Sequence, residues 1–139
     1  MSSVTPSDLL KKALAADAVV SGAVAVLQLA IPDALSRLLL LPRGLLVETG
    51  LFLVAYTLLL IVLARSARVW SPLILVIVVG NVAWAAGCAV LLGTGQLQPS
   101  ILGIAFVAQQ AVAVLVFAGL EYFGLRESPA ATSATALRA

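Results

Sequence analysis

The chain contains no histidine, one cysteine (Cys88), and one methionine, which is its first residue. A disulfide framework and a Cys/His metal cluster are therefore excluded. A His/Met haem pair is excluded as well. Cys88 has no histidine to act as its base, so nucleophilic catalysis lacks its second member. Charge is scarce too: 10% of the 139 residues are charged, against roughly 25% in a soluble domain. There is no phosphate loop, no Ser/His/Asp set and no paired acidic motif. Enzymes acting on lipid headgroups or isoprenoid phosphates need acidic, basic or metal-binding clusters, and none is present. A non-enzymatic protein is expected, with no catalytic residues, no cofactor and no metal. The pI near 9.1 comes from eight basic and six acidic residues scattered at the ends of apolar runs. No basic stripe is interleaved with aromatics, so no nucleic-acid partner is expected.

Apolar residues make up 63% of the chain, and the mean hydropathy is +1.17. That composition belongs in a lipid solvent, and the length suits one domain. Four runs are long enough to cross a bilayer core of about 30 Å: residues 14–31, 44–64, 72–92 and 100–121. Residues 1–13 read as a polar, loose N-terminal segment leading into amphipathic turns suited to a membrane surface. Thr5-Pro6-Ser7-Asp8 supplies a helix start, with Thr5 as the cap and Pro6 at the first helical position. A signal peptide competes for the first run. The run's length, Asp17 inside it and the lack of a small-x-small cleavage site near Ala30 favour a retained span. Residues 32–43 are too short to span and mix charges with leucines, which predicts a short interfacial helix that Pro42 ends. The tail, 125–139, is small and polar enough to be disordered. The predicted fold is all-α: a transmembrane four-helix bundle with an interfacial helix between the first and second spans.

With four spans, Lys11, Lys12, Arg65, Arg68, Arg126 and Arg138 fall on one side, and Arg37 and Arg43 on the other. The positive-inside bias then places both termini in the cytoplasm and the chain in a cell inner (plasma) membrane.

Polar groups within spans are the candidate functional residues, because hydrocarbon offers them no water. Asn81, at the centre of the third span, needs a protein partner. Gln109 and Gln110 of the fourth span sit at similar depth, so an Asn–Gln hydrogen bond is expected. Trp84, on the Asn81 side and away from the interfacial aromatic belt, either fills the core or walls a lipophilic pocket. Asp17, Ser21 and Gln28 are spaced by four and seven residues, nearly on one face of the first helix. Ala15, Ala18, Gly22 and Ala25 flank them, as a helix-packing face requires. Gln110 and Glu121 likewise share a face. Asp17 and Glu121 are expected near the interface, paired with Lys12 and Arg126. Glu48, one turn inside the second span, is expected to be an interfacial or Arg43-paired carboxylate or, alternatively, to carry protons or cations.

The segments ADAVVSGAVAVL, LLLLP, GLLVETGLFLVAY, NVAWAAG and IAFVAQQAVAV, spread over most of residues 14–124, resemble in layout the small four-span bacterial membrane proteins of the DoxX-like group. That group is mostly uncharacterised. The resemblance implies a link to membrane redox complexes and quinone chemistry, and carries over no catalytic residue. The expected partners are the lipid bilayer and either a second copy of the chain or another membrane protein. The leading expectation is an accessory subunit or homo-oligomer working through helix contacts. The alternatives are a binder or carrier of a small lipophilic molecule such as a quinone, and an ion or proton transporter using Glu48.

Overall fold

A computed structural model describes residues 2–131. The described residues form five helices: α1 (Asp8–Ala30), α2 (Pro32–Leu39), α3 (Arg43–Arg65), α4 (Ser71–Gly93) and α5 (Ile101–Arg126). All but α2 are long and apolar enough to cross a membrane. Their outward faces are apolar, with Val19 71% and Ile101 86% exposed. Such a surface is stable against lipid and not against water. The all-α four-helix bundle and the short helix after the first span are both present.

The four long helices do not pack all against all. α1 lies between α3 and α5, and α5 lies between α1 and α4. α3 and α4 are the outer members of this row and make little backbone approach to one another. Rings of Phe52 (α3) and Trp84 (α4) span the space between them, stacked with centroids 5.7 Å apart.

Each end of the bundle is closed by a serine and a glycine. At the end bearing the termini, Ser7 caps α1 by accepting from Leu10 N at 3.1 Å, and its hydroxyl donates to Gly124 O of α5 at 2.7 Å. A Cβ on Gly124 would lie 2.7 Å from Leu10 Cα, so only glycine permits this crossing. At the other end Ser100 caps α5 and donates through its hydroxyl to Leu38 O and through its N–H to Leu39 O. Here Gly103 meets the Leu39 carbonyl, again with no room for a side chain. Leu40, in the left-handed region at φ 53°, ends α2. α2 thereby lies across the α3 and α5 ends, with Leu35 and Leu39 buried against Leu46 and Val107.

Several expectations for the chain ends are corrected. Ser7, not Thr5, is the cap, and Pro6 precedes the helix. The first turns of α1 are not a surface segment: Leu10 and Leu14 are fully buried in the bundle. The N-terminus is not loose either. Ser3–Val4 (β1) pairs antiparallel with Val69–Trp70 (β2), and Val4 bridges to Ala130. The reason is local: Val4 and Val69 are apolar and bury into the cluster that holds Leu10, Leu63 and Ile74. The expected disordered tail is ordered as far as residue 131, where Ala131 N donates to Ser3 O at 3.0 Å. The rest of that expectation, 132–139, lies outside the described residues.

Candidate functional site

Four helices bring polar side chains to one place inside this apolar frame. Asp17 comes from α1, Tyr56 from α3, Asn81 from α4 and Glu121 from α5, with Ser21 one turn beyond Asp17. Asp17 and Glu121 have no exposed surface, and Asn81 is buried. Ser21 donates to Asp17 Oδ1 at 2.8 Å. The Tyr56 hydroxyl lies 2.7 Å from Asp17 Oδ2 and 3.0 Å from Asn81 Oδ1. Asn81 Nδ2 donates to Asp17 Oδ2 at 3.3 Å and to Glu121 Oε2 at 3.1 Å. The charged group facing Glu121 is Asp17, and Tyr56 faces both carboxyls. Glu121 Oε1 is buried with no hydrogen-bond partner among the described residues.

The helices present these groups for simple reasons. The Asp17–Ser21–Gln28 stripe predicted on α1 is buried because α1 is covered on two sides, by α3 and α5. Tyr56 sits nine residues before the end of α3, roughly 13 Å along it, far from the interfacial belt. Its hydroxyl therefore reaches inward to a carboxylate. Phe52, one turn away, stacks on Tyr56 at 6.3 Å.

The space between α3 and α4 is a cleft in two adjoining parts. One, of about 380 Å³, has walls that include Phe52, Tyr56, Ile77 and Trp84, with Ser21 and Asn81 on its lining. The other, of about 430 Å³, is lined by Trp84, Cys88, Phe106, Gln28, Thr49 and Gln110, among others. Gly80 and Trp84 belong to both. The lining is overwhelmingly apolar, and its few polar groups converge from α1, α3, α4 and α5. This is how sites for small lipophilic molecules are built. Thr49 gives its hydrogen to Leu45 O at 2.6 Å, and Gln28 Oε1 lies at 3.5 Å from the same hydroxyl. The Gln28 carboxamide is thus only weakly held by its neighbour and lines the cleft.

Several expected pairings give way to others. Asn81 bonds Tyr56, Asp17 and Glu121 in place of a glutamine: Gln109 is exposed, and Gln110, half-buried, lines the part of the cleft beside Cys88. Asp17 is not an interfacial partner of Lys12: its carboxylate is enclosed and bonded across the bundle. Glu121 does not snorkel to Arg126, whose guanidinium carbon lies 6.0 Å over the Tyr122 ring. α5 runs past Glu121 by more than a turn, which draws the carboxyl inside. Arg43 pairs with Asp33 at 2.6 Å in place of Glu48, and Glu48 is exposed. Trp84 walls the cleft.

Tyr56 and the inward direction of Glu121 escaped the sequence reading. The available signals were a tyrosine far from either helix end and the shared face of Gln110 and Glu121.

Fold and site together define a multi-pass integral membrane protein, a helical bundle with a buried carboxylate cluster beside a lateral cleft. Comparison of the chain with protein-family models, with curated proteins and with solved structures yields no match.

Proposed function

We propose that this chain is a non-enzymatic protein that holds a small lipophilic molecule with a polar head in the cleft between α3 and α4. One observation carries the reading. The cleft is walled by Phe52, Tyr56 and Trp84, and Tyr56 and Asn81 offer hydrogen-bonding groups at its lining. An apolar ligand body replaces lipid contacts there at little cost, and the polar head finds partners that lipid lacks. A quinone has this shape, and the DoxX-like resemblance points the same way. We place the chain in a plasma (inner) membrane with both termini cytoplasmic. Arg65, Arg68 and Arg126 cluster at the termini's end and Arg37 and Arg43 at the other, as the positive-inside bias requires.

The single cysteine provides the test. Cys88 lines the cleft and is half-buried. A short-chain alkylated benzoquinone added to the purified protein is expected to slow maleimide labelling of Cys88 and to saturate. Labelling that is indifferent to the quinone and to any lipophile extracted from the native membrane overturns the reading.

A second reading, helix-mediated assembly as an accessory subunit or homo-oligomer, draws on the same gap. Nothing lies within 4 Å of where a Cβ on Gly80 or Gly87 would stand. Together with Ala83 they form a small-residue face on which another helix could pack. Native mass spectrometry in mild detergent separates the two readings: a monomer with bound small molecule supports the first, a stoichiometric partner chain the second.

A further inference from the structure

The charges of the buried cluster do not balance. No lysine or arginine occurs between Lys12 and Arg37, between Arg43 and Arg65, or between Arg68 and Arg126. The four spans therefore bring two carboxyls into the bundle and no cation of their own. The groups facing these carboxyls are Ser21 of α1, Tyr56 of α3, Asn81 of α4, and the two acids themselves from α1 and α5.

Hydrogens are short as well. Ser21 gives its one hydrogen to Asp17 Oδ1. Both side-chain hydrogens of Asn81 are directed at carboxyl oxygens. Tyr56 has a single hydrogen and two acceptors in reach, the nearer being Asp17 Oδ2. With that hydrogen on Asp17, Asn81 Oδ1 has no donor. Glu121 Oε1 has no donor among the described residues and is fully enclosed, with the Asp17 carboxyl beside it. An enclosed acceptor without a donor, beside two acids without a counter-charge, is the costliest combination a protein interior can hold. One positively charged ligand removes both deficits.

We propose that the Asp17–Asn81–Glu121 cluster binds one monovalent cation among its carboxyl oxygens, with Glu121 Oε1 as the acceptor left open for it. A proton on Glu121 Oε1 turns the orphaned acceptor into a donor. A sodium-sized ion takes lone pairs from the same oxygens, as hard cations do. A divalent metal fits less well, since the described residues hold no group of three or more metal-ligating side chains. The proposal does not depend on what fills the cleft. Tyr56 and Asn81 nevertheless belong to both sites, so a cleft ligand that takes the Tyr56 hydrogen takes it from Asp17, and the two binding events are coupled.

Infrared spectroscopy on the full chain in nanodiscs tests this, first without sodium at neutral pH. Carbon-13 in the glutamate carboxyls, in a Glu48→Gln/Glu127→Gln background, marks Glu121 alone. A protonated-carboxyl band that moves with the label and is absent in Glu121→Gln identifies the proton. Its saturable conversion to carboxylate at one Na⁺ per chain, weakened about tenfold or more in Asp17→Asn, identifies the alkali ion. A labelled spectrum showing only ionised carboxylate, unresponsive to Na⁺, overturns the proposal. Because the isotope needs no change at Glu121, a misfolded Glu121→Gln protein leaves the outcome decidable.

Discussion

Asp17 of the first span and Glu121 of the last accept hydrogen bonds from one nitrogen, Nδ2 of Asn81, at 3.3 and 3.1 Å. One amide thereby ties α4 to α1 and α5 at a depth where no water competes. It faces Tyr56 of α3 through its oxygen at 3.0 Å.

Asn81→Leu should therefore be the most damaging single change in the third span. An interhelical hydrogen bond in a membrane is worth about 0.6 kcal/mol on average and up to about 1.7, and here several fail at once, leaving two carboxyls unbridged. A loss of roughly 2–3 kcal/mol is expected. Gln109→Leu, at an exposed position, should lie within about 0.5 kcal/mol of the parent. Thermal unfolding in detergent compares the two, and equal effects would remove Asn81 from its structural role.

Glycines separate into two kinds. Gly124→Ala should destabilise the chain, because the new methyl meets the Leu10 backbone at 2.7 Å and a helix must move. Gly80→Ala and Gly87→Ala have open space in front of them and should be tolerated, or slightly stabilising through helix propensity. Chymotrypsin resistance of the three variants in the same detergent reports the order; a tolerant Gly124 would contradict the close α1–α5 crossing.

A larger residue at Gly87 tests the cleft without testing the fold. Gly87→Phe should fill the part lined by Cys88 and Phe106, and fall in lipophile binding by about tenfold or more while unfolding at the parent temperature. With Trp70→Phe as background, Trp84 is the remaining indole, so its fluorescence reads occupancy directly. Binding that survives Gly87→Phe unchanged would confine the ligand to the part beside Tyr56 and Asn81.

Glu48→Gln should change little. The carboxylate is exposed, and Arg43, once its expected partner, bonds Asp33 instead. Stability within about 0.5 kcal/mol of the parent is expected, together with unchanged cation binding by the buried cluster. A loss of that binding would move the site from Asp17 and Glu121 toward the other end of the bundle.

Much of the frame was legible because lipid imposes it. Uninterrupted apolar runs have one economical solution in hydrocarbon, the helix, which satisfies every backbone group internally. Pro32 and Pro42 bracket α2 for equally local reasons, since proline fits the first turn of a helix or the segment beside it. The stripe of Asp17, Ser21 and Gln28 was legible as one face of α1 because helical spacing alone decides that.

The partners of that stripe were not legible. Depth counted from helix ends set Asn81 level with Gln109 and Gln110, yet the offset between α4 and α5 brings it to Glu121, which shares the Gln110 face further along the helix. That offset depends on which helices touch, and the small residues at the close crossings, Gly103 and Gly124, act only once Leu39 and Leu10 arrive from elsewhere in the chain. The sequence by itself determined four spans, their alternating directions and the buried face of the first. Only the tertiary structure decided that α3 and α4 stand apart around a cleft and that Asn81 joins two carboxyls. The pairing of helices is a packing choice among nearly equal apolar surfaces, and no period along one helix records it.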